Sequence, residues 1–211
     1  MVAGGQIDGR IPWPIIPLMR CRSSLLACLI LASAIVLGAD AAADDVVLFD
    51  LEGRRVDPWQ VHPGAVSVFI FTATECPISN RYAPEIARIH RLFEPRGVAF
   101  WLVYADGRET PPGIRDHVES FGYPLAALRD PDHTLVSLTG VTVTPEVAVF
   151  DTDRSLRYRG RIDDRYVAFG KSRPRPTVRD LSGALDALLD GRPVAEAETM
   201  AIGCYIPPPA R

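Results

Sequence analysis

Cys76 stands where an apolar run, Val66 to Phe71, gives way to a helix-like segment, within Phe-Thr-Ala-Thr-Glu-Cys-Pro-Ile-Ser-Asn. A cysteine in the first turn of a helix meets unpaired backbone N–H groups and the positive end of the helix dipole. Both favour the thiolate, which is the nucleophile, over the thiol. The plainer alternative is a buried cysteine acting as a small hydrophobe, but the junction between strand and helix favours the reactive reading. Ser79, one turn on, could donate a hydrogen bond to the sulfur or satisfy backbone groups at the helix start, and both readings stand. Glu75 would raise the thiol pKa unless it points to solvent; Arg81 or Arg161 could offset it, although a solvated position suits both arginines better.

Other groups offer less chemistry. His62, His90, His117 and His133 show no metal-ligand spacing, and scattered histidines read as surface or capping residues, so no metal or other cofactor is expected. Asp163 and Asp164 form a carboxylate pair in sequence, but adjacent residues in a strand or loop diverge, and they are assigned no catalysis. The stretch from Arg161 to Arg179 concentrates Arg and Lys around Pro174 and Pro176. A solvated insertion fits it better than a docking loop.

The compartment decides what a cysteine can do. Arg20 and Arg22 precede an apolar run from Leu25 to Leu37, followed by Gly-Ala-Asp-Ala-Ala-Ala, the charged, apolar and small-residue order of a secretory signal. Residues 1–43 are read as that signal, with cleavage near Ala41 or Ala43 and Met19 as an alternative start. The competing reading is an uncleaved anchor, for which the apolar run is short of the roughly 20 residues that span a bilayer. A lipoprotein site at Cys28 is disfavoured because most of the apolar run follows it. Export to the periplasm or another extracytoplasmic space is therefore expected.

Cleavage removes Cys21 and Cys28 and leaves Cys76 and Cys204. Two cysteines in an oxidising compartment suggest a pair, either a permanent staple or a cycling dithiol. Three of the 23 basic and two of the 26 acidic residues leave as well, so 20 face 24 in the remaining chain, and nucleic-acid binding gains no support. What remains suits one domain with a sizeable core, here residues 44–192, followed by a tail, 193–211, carrying Cys204.

Apolar periods in this domain alternate between strand-like and helix-like, which reads as an α/β layer fold. Val46 to Phe49 and Arg54 to Val56 should open it as a hairpin, and Val66 to Phe71 suits a central strand. A helix should follow Cys76, with Tyr82, Ile86, Ile89 and Phe93 on its buried face, a bend at Pro84 and an end at Pro95-Arg96-Gly97. Val98 to Tyr104 predicts a strand, and helices follow at about Ile114 to Phe121 and from Asp132 to Leu138, the latter opened by Asp130-Pro131. Val147 to Phe150 and Leu156 to Gly160 predict a hairpin around Asp151 to Arg154. The closing helix carries the stripe Val178, Leu181, Leu185 and Leu188, with Thr177 as cap, Asp180 completing a capping-box-like pair and Gly191 as stop.

This order, with Cys76-Pro77-Ile78-Ser79 at the thiol helix, Ala83-Pro84 within it and Thr144-Pro145 before a strand, resembles the thioredoxin-like fold. Asp106, opening a polar loop after the second core strand, adds to the likeness. The opening hairpin and the Thr-Pro-Glu-Val segment are most similar to the redoxin branch, which includes exported thiol-disulfide oxidoreductases and peroxiredoxins. The resemblance implies a central mixed β-sheet flanked by helices, with an N-terminal hairpin and a C-terminal tail. It implies that Cys76 attacks, that Thr144-Pro145 is a cis bond placing the Thr144 backbone beside the sulfur to hold an extended substrate, and that Ser79 supports the thiolate.

Two departures shape the activity expected. Ser79 replaces the second cysteine of the family's Cys-x-x-Cys, so a mixed disulfide at Cys76 stalls unless another thiol attacks it. Cys204 is the candidate, on a tail that can extend roughly 40 Å. Peroxiredoxins carry a proline and a threonine before their cysteine where this chain has Phe69 and Ala73, which argues against peroxide turnover. A related copper carrier has a second cysteine where Asn80 stands, which argues against copper. The expected activity is thiol-disulfide exchange with protein thiols or disulfides, or with an external reductant, through Cys76 and Cys204. The alternatives are a hydroperoxide-consuming peroxidase with the same cysteines, and a non-catalytic interaction module stapled by a Cys76–Cys204 bond. No membrane contact is expected beyond an uncleaved signal.

Overall fold

The computed structural model describes residues 46–209; the expected signal, residues 1–43, lies outside the described residues. In chain order the elements are β1 (Leu48–Phe49), β2 (Arg55–Val56), α1 (Pro58–Val61), β3 (Val66–Thr72), α2 (Pro77–Phe93), β4 (Val98–Tyr104), α3 (Pro111–Ser120) and β5 (Ala126–Arg129). They continue with α4 (Thr134–Thr139), β6 (Val143–Thr144), β7 (Glu146–Phe150), β8 (Leu156–Gly160), β9 (Tyr166–Ala168), β10 (Lys171–Ser172), α5 (Asp180–Leu189) and β11 (Cys204–Tyr205).

A seven-stranded sheet has the order β2-β1-β5-β4-β3-β7-β8. It is mixed: β3, β4 and β5 run parallel, while β7, β8 and the opening hairpin pair antiparallel. This is the architecture that the thioredoxin-like resemblance implies. Every residue of β3 and β4 is buried, which is why both read as continuous apolar runs rather than alternating ones. Alternate residues serve opposite layers. Val66, Val68 and Ile70 pack with the α2 stripe of Tyr82, Ile86, Ile89 and Phe93 and with Leu181 and Leu185 of α5. Phe69 and Phe71 face the other way, toward Trp59, Trp101, Leu128 and Phe150, and the Trp59 and Phe150 rings meet Phe69 edge to face at 5.6 and 5.7 Å. Each such side chain contributes about 1.5–3 kcal/mol by leaving water, so the two layers hold the sheet rigid beneath the site.

The sequence expectations need five corrections. Strand β5 was not foreseen, since Ala-Ala-Leu-Arg carries no strand pattern; its pairing to β4 creates it. The helix expected from about Ile114 starts at Pro111, because Thr110 caps it with its Oγ1 on the Gly113 N–H at 3.3 Å. The helix expected from Asp132 starts at Thr134, because the buried Asp130 carboxylate accepts from the N–H groups of Thr134, Leu135 and Val136 at 2.7–3.0 Å. The closing helix begins at Asp180 without a side-chain cap. Thr177 and Val178 instead donate their N–H groups to Asp164, at 2.6 and 2.9 Å. Finally, the basic stretch is not a plain loop: it contains the β9–β10 hairpin, and three of its arginines, Arg161, Arg173 and Arg179, pair with Asp180, Asp164 and Glu85.

The register delivers the site. Phe71 of β3 lies opposite Glu146 of β7, so Pro145 and Thr144, one and two residues before Glu146, come beside the segment that follows β3 and leads to Cys76.

Candidate active site

Cys76 is the N-cap of α2, with extended φ and ψ of −85° and 107° and Pro77 after it. Proline suits the first helical position, where its missing N–H costs nothing. Only 1% of Cys76 is exposed. The Thr144–Pro145 bond is cis, as expected, and the Cys76 thiol donates to the Thr144 carbonyl oxygen at 3.0 Å. Cys204 lies opposite Thr144 in the antiparallel β11–β6 pair, within hydrogen-bonding reach of the Cys76 sulfur. The expected site residues Cys76, Ser79, Thr144, Pro145 and Cys204 thus come together.

Burial pushes the Cys76 thiol up, yet donors outweigh it: the Cys204 thiol, the Ser79 hydroxyl, the Thr144 hydroxyl and the Ser79 N–H together hold it below an ordinary thiol. The Thr144 carbonyl works in the opposite sense, since it accepts from the thiol and repels the thiolate. The donor majority decides the balance. Ser79 Oγ and Thr144 Oγ1 are buried with no hydrogen-bond partner, so a thiolate at Cys76 gives two idle hydroxyls an acceptor. Cys204 moves the other way. Burial, its donation to Cys76 and the negative charge there push it up to about 12. The pair is therefore one thiol poised to ionise and one that keeps its proton.

Glu75, which sequence reasoning set against the thiolate, is exposed and is not among the causes of the Cys76 shift. Arg161 binds Asp180 and is no counter-ion for Cys76; Arg81 is exposed. A cavity of about 190 Å³ opens beside the sulfur, bordered by Thr72, Glu75, Asp106, Arg108, Thr144 and Tyr205.

The loop before Cys76 is held by groups that sequence reasoning missed. The Thr74 N–H donates to Glu109 Oε1 at 2.6 Å, and Asn80 Nδ2 donates to the Thr74 carbonyl at 3.1 Å. Asn80 Oδ1 then accepts from His117 Nε2 at 2.8 Å, while Tyr104 OH lies 2.8 Å from His117 Nδ1. That chain assigns the neutral imidazole with its proton on Nε2 and Tyr104 as donor to Nδ1. Burial keeps His117 below the usual histidine range, against the pull of Glu75. His117 and His133, read from the sequence as surface or capping residues, are buried; the three-residue spacing of His117 from Ile114 on the inner face of α3 is the signal that would have placed it inside. Nothing in the sequence marked Glu109.

The tail reaches the site along a fixed path. Arg159 N–H donates to Ala197 O and Thr199 N–H to Arg159 O, at 2.9 and 3.0 Å, and Ile206 N–H donates to Thr142 O at 3.0 Å. Two glycines admit it. A Cβ on Gly203 would collide with the Thr144 carbonyl, and one on Gly160 with the Thr199 backbone and hydroxyl.

Comparisons with known proteins bear on the family and the fold. The AhpC/TSA family matches residues 39–159, more than half of the chain. Among solved structures, an uncharacterized conserved protein from Geobacillus kaustophilus is 29% identical with a TM-score of 0.64, covering 76% of this chain and 86% of that one. A hypothetical protein from Sinorhizobium meliloti 1021 is 26% identical with a TM-score of 0.67, covering 82% and 94%. A thioredoxin-family thiol:disulfide interchange protein from Chlorobium tepidum TLS is 15% identical with a TM-score of 0.51, covering 68% and 92%; at that identity the likeness is one of fold. No curated protein matches the chain.

Proposed function

Because the chain belongs to the AhpC/TSA family and carries a thioredoxin-like fold, we propose that it is an exported thiol-disulfide oxidoreductase with Cys76 as nucleophile and Cys204 as resolving thiol. One observation carries this reading: Cys204 is the register partner of Thr144, the residue whose carbonyl accepts from the Cys76 thiol at 3.0 Å, and both cysteines line the same cavity. Export is supported by the charged, apolar and small-residue order of residues 1–43.

The Cys76 thiolate attacks one sulfur of a substrate disulfide, the substrate S–S bond breaks, and the first substrate thiolate leaves and takes a proton from water. Cys76 now carries a mixed disulfide and no charge, which removes two of the causes that held Cys204 protonated. Cys204 releases its proton toward the cavity and attacks the Cys76 sulfur, expelling the second substrate thiolate. The substrate is reduced by two electrons, and the dithiol becomes a Cys76–Cys204 disulfide, which an external dithiol returns to the reduced form.

Mixing the reduced full chain with a disulfide and mapping the products by mass spectrometry tests this. The wild type should end as a Cys76–Cys204 disulfide, Cys204→Ser should accumulate the mixed disulfide at Cys76, and Cys76→Ser should form neither. Equal activity in the wild type and Cys76→Ser would end the catalytic reading.

A second reading rests on the small cavity over a sulfur that is 1% exposed, which suits a small oxidant. A hydroperoxide would oxidise the Cys76 thiolate to a sulfenic acid, losing its alkoxide as the alcohol, and Cys204 would displace water to give the same disulfide. Loss of the Cys76 thiol to hydrogen peroxide far faster than for a free thiolate would move the assignment to a peroxidase. An ordinary rate leaves disulfide exchange.

A further inference from the structure

Strand β6 offers its backbone directly beside Cys76, and β11 of the tail occupies it: Cys204 opposite Thr144, Tyr205 opposite Val143, Ile206 N–H on Thr142 O. The Thr144 backbone is where the resemblance has an extended substrate pair, and we propose that Gly203–Ile206 of the tail is a built-in competitor for that edge, shutting out a disulfide-bearing segment of a partner polypeptide until the tail lifts. The proposal rests on the redox reading above and deepens it. With the tail seated, Cys76 is 1% exposed, and a polypeptide disulfide has no path to its sulfur. The backbone positions such a partner would pair with are those that the tail holds, and Cys204 stands where the partner's cysteine must come to meet Cys76. Pairing by backbone hydrogen bonds accepts many sequences, but the passage is selective at one point. Gly203 leaves no room for a Cβ against the Thr144 carbonyl, so a partner docking as the tail does needs a glycine before its cysteine. Tyr205 is 86% exposed, so the position after the cysteine is unconstrained.

Partner and tail then alternate on one edge. The tail lifts, the partner pairs with Thr144, and the Cys76 thiolate breaks its disulfide, releasing one thiolate and keeping the other half as a mixed disulfide. The returning tail displaces the docked strand and brings the Cys204 thiolate to the Cys76 sulfur, expelling the partner's thiolate. Apparent affinity for a polypeptide is reduced by the fraction of time that the tail is seated, whereas a small disulfide entering through the cavity escapes that reduction.

The test uses the full chain in a Cys204→Ser background, where no resolution follows and mixed-disulfide formation at Cys76 is read directly by mass spectrometry. Two substrates are compared: the symmetrical disulfide of the peptide Ile-Gly-Cys-Tyr-Ile and hydroxyethyl disulfide. Adding Gly203→Val unseats the tail at Thr144, and Ile206→Pro, which removes the N–H that Thr142 accepts, reaches the same end by a second route. Amide exchange at position 204, whose N–H faces β6 in the register that bonds Ile206 N–H to Thr142 O, reports the unseating. The expected result is a peptide rate raised about tenfold or more in both variants, with hydroxyethyl disulfide changed by less than about twofold. Equal acceleration of both substrates, or of neither, would overturn the competitor. Absence of any mixed disulfide in every variant would instead overturn the redox reading, and this inference with it.

Discussion

Thr144 touches both thiol-bearing segments: its carbonyl oxygen lies 3.0 Å from Cys76 Sγ, and it is the register partner of Cys204 across β6 and β11. A single backbone residue therefore fixes where the two sulfurs meet. Its place follows from the opposition of Glu146 and Phe71 in the sheet, so the rigid strands β3 and β7, rather than the tail, set the geometry. The tail conforms to them through Gly160 and Gly203.

Removing the Cys204 donor should make Cys76 a weaker acid. In Cys204→Ala the hydrogen bond that Cys204 gives to the Cys76 sulfur is gone, and the Ser79 and Thr144 groups remain against the same burial. The midpoint of iodoacetamide reactivity against pH should move up from its wild-type value, with Ser79→Ala moving it in the same direction. An unchanged midpoint in both variants would show that the helix terminus alone sets the pKa.

The reduced pair should give a stability maximum in pH. The folded pKa of Cys76 is depressed, so its contribution is present above the unfolded thiol value of about 8.5 and is lost as pH falls through the folded value. That of Cys204 is raised to about 12, so its contribution is present below the unfolded value and is lost as pH rises through about 12. The two meet near pH ~8.5. The disulfide form does not titrate at these groups, so the difference in Tm between reduced and oxidised protein should shift most in favour of the reduced form near that pH. Thermal unfolding of both forms across pH checks this, and a flat difference would contradict the paired assignment.

Asn80 should matter to Cys76 without touching substrate. It joins the Thr74 carbonyl to His117, and Asn80→Ala leaves both without that partner, costing about 1–3 kcal/mol of stability. With the loop before Cys76 held on one side alone, by Glu109 on the Thr74 N–H, the spacing between the Cys76 sulfur and the Thr144 carbonyl loosens. Both a lower Tm and a changed Cys76 alkylation profile are expected; a lower Tm with an unchanged profile would make Asn80 purely structural.

Much of this site was legible from residue types in order. The strand-to-helix cysteine, Thr144-Pro145 and the α2 stripe of Tyr82, Ile86, Ile89 and Phe93 each carry a local signal, and all reach their expected places. What escaped was created by contacts distant in sequence. Strand β5 exists because β4 pairs with it, Glu109 meets Thr74 across 35 residues, and Asp164 takes over the capping of Thr177 and Val178 from 13 and 14 residues away. The docking of Cys204 could be stated from the sequence only as a reach, because Gly160 and Gly203 reveal their purpose only beside Thr199 and Thr144.

The buried bond between Tyr82 and Asp163 gives a stability test away from the sulfur. Tyr82 OH donates to Asp163 Oδ1 at 2.5 Å, and the same oxygen accepts from the Arg165 N–H at 3.0 Å. Burial pushes the Asp163 carboxyl up, and these two donors partly restore it. Tyr82→Phe keeps the ring that packs on Tyr166 at 5.4 Å but deletes the stronger donor, leaving a buried carboxylate that is one hydrogen bond short, at a cost of about 1–3 kcal/mol. A raised folded pKa means that the protonated carboxyl is preferred, so the charged form bears that cost. The Tm loss in Tyr82→Phe should therefore be larger at neutral pH and shrink as pH falls through the folded pKa of Asp163. Thermal unfolding of wild type and variant at neutral and acid pH measures it; a loss that does not depend on pH would mean that Asp163 is already protonated at neutrality.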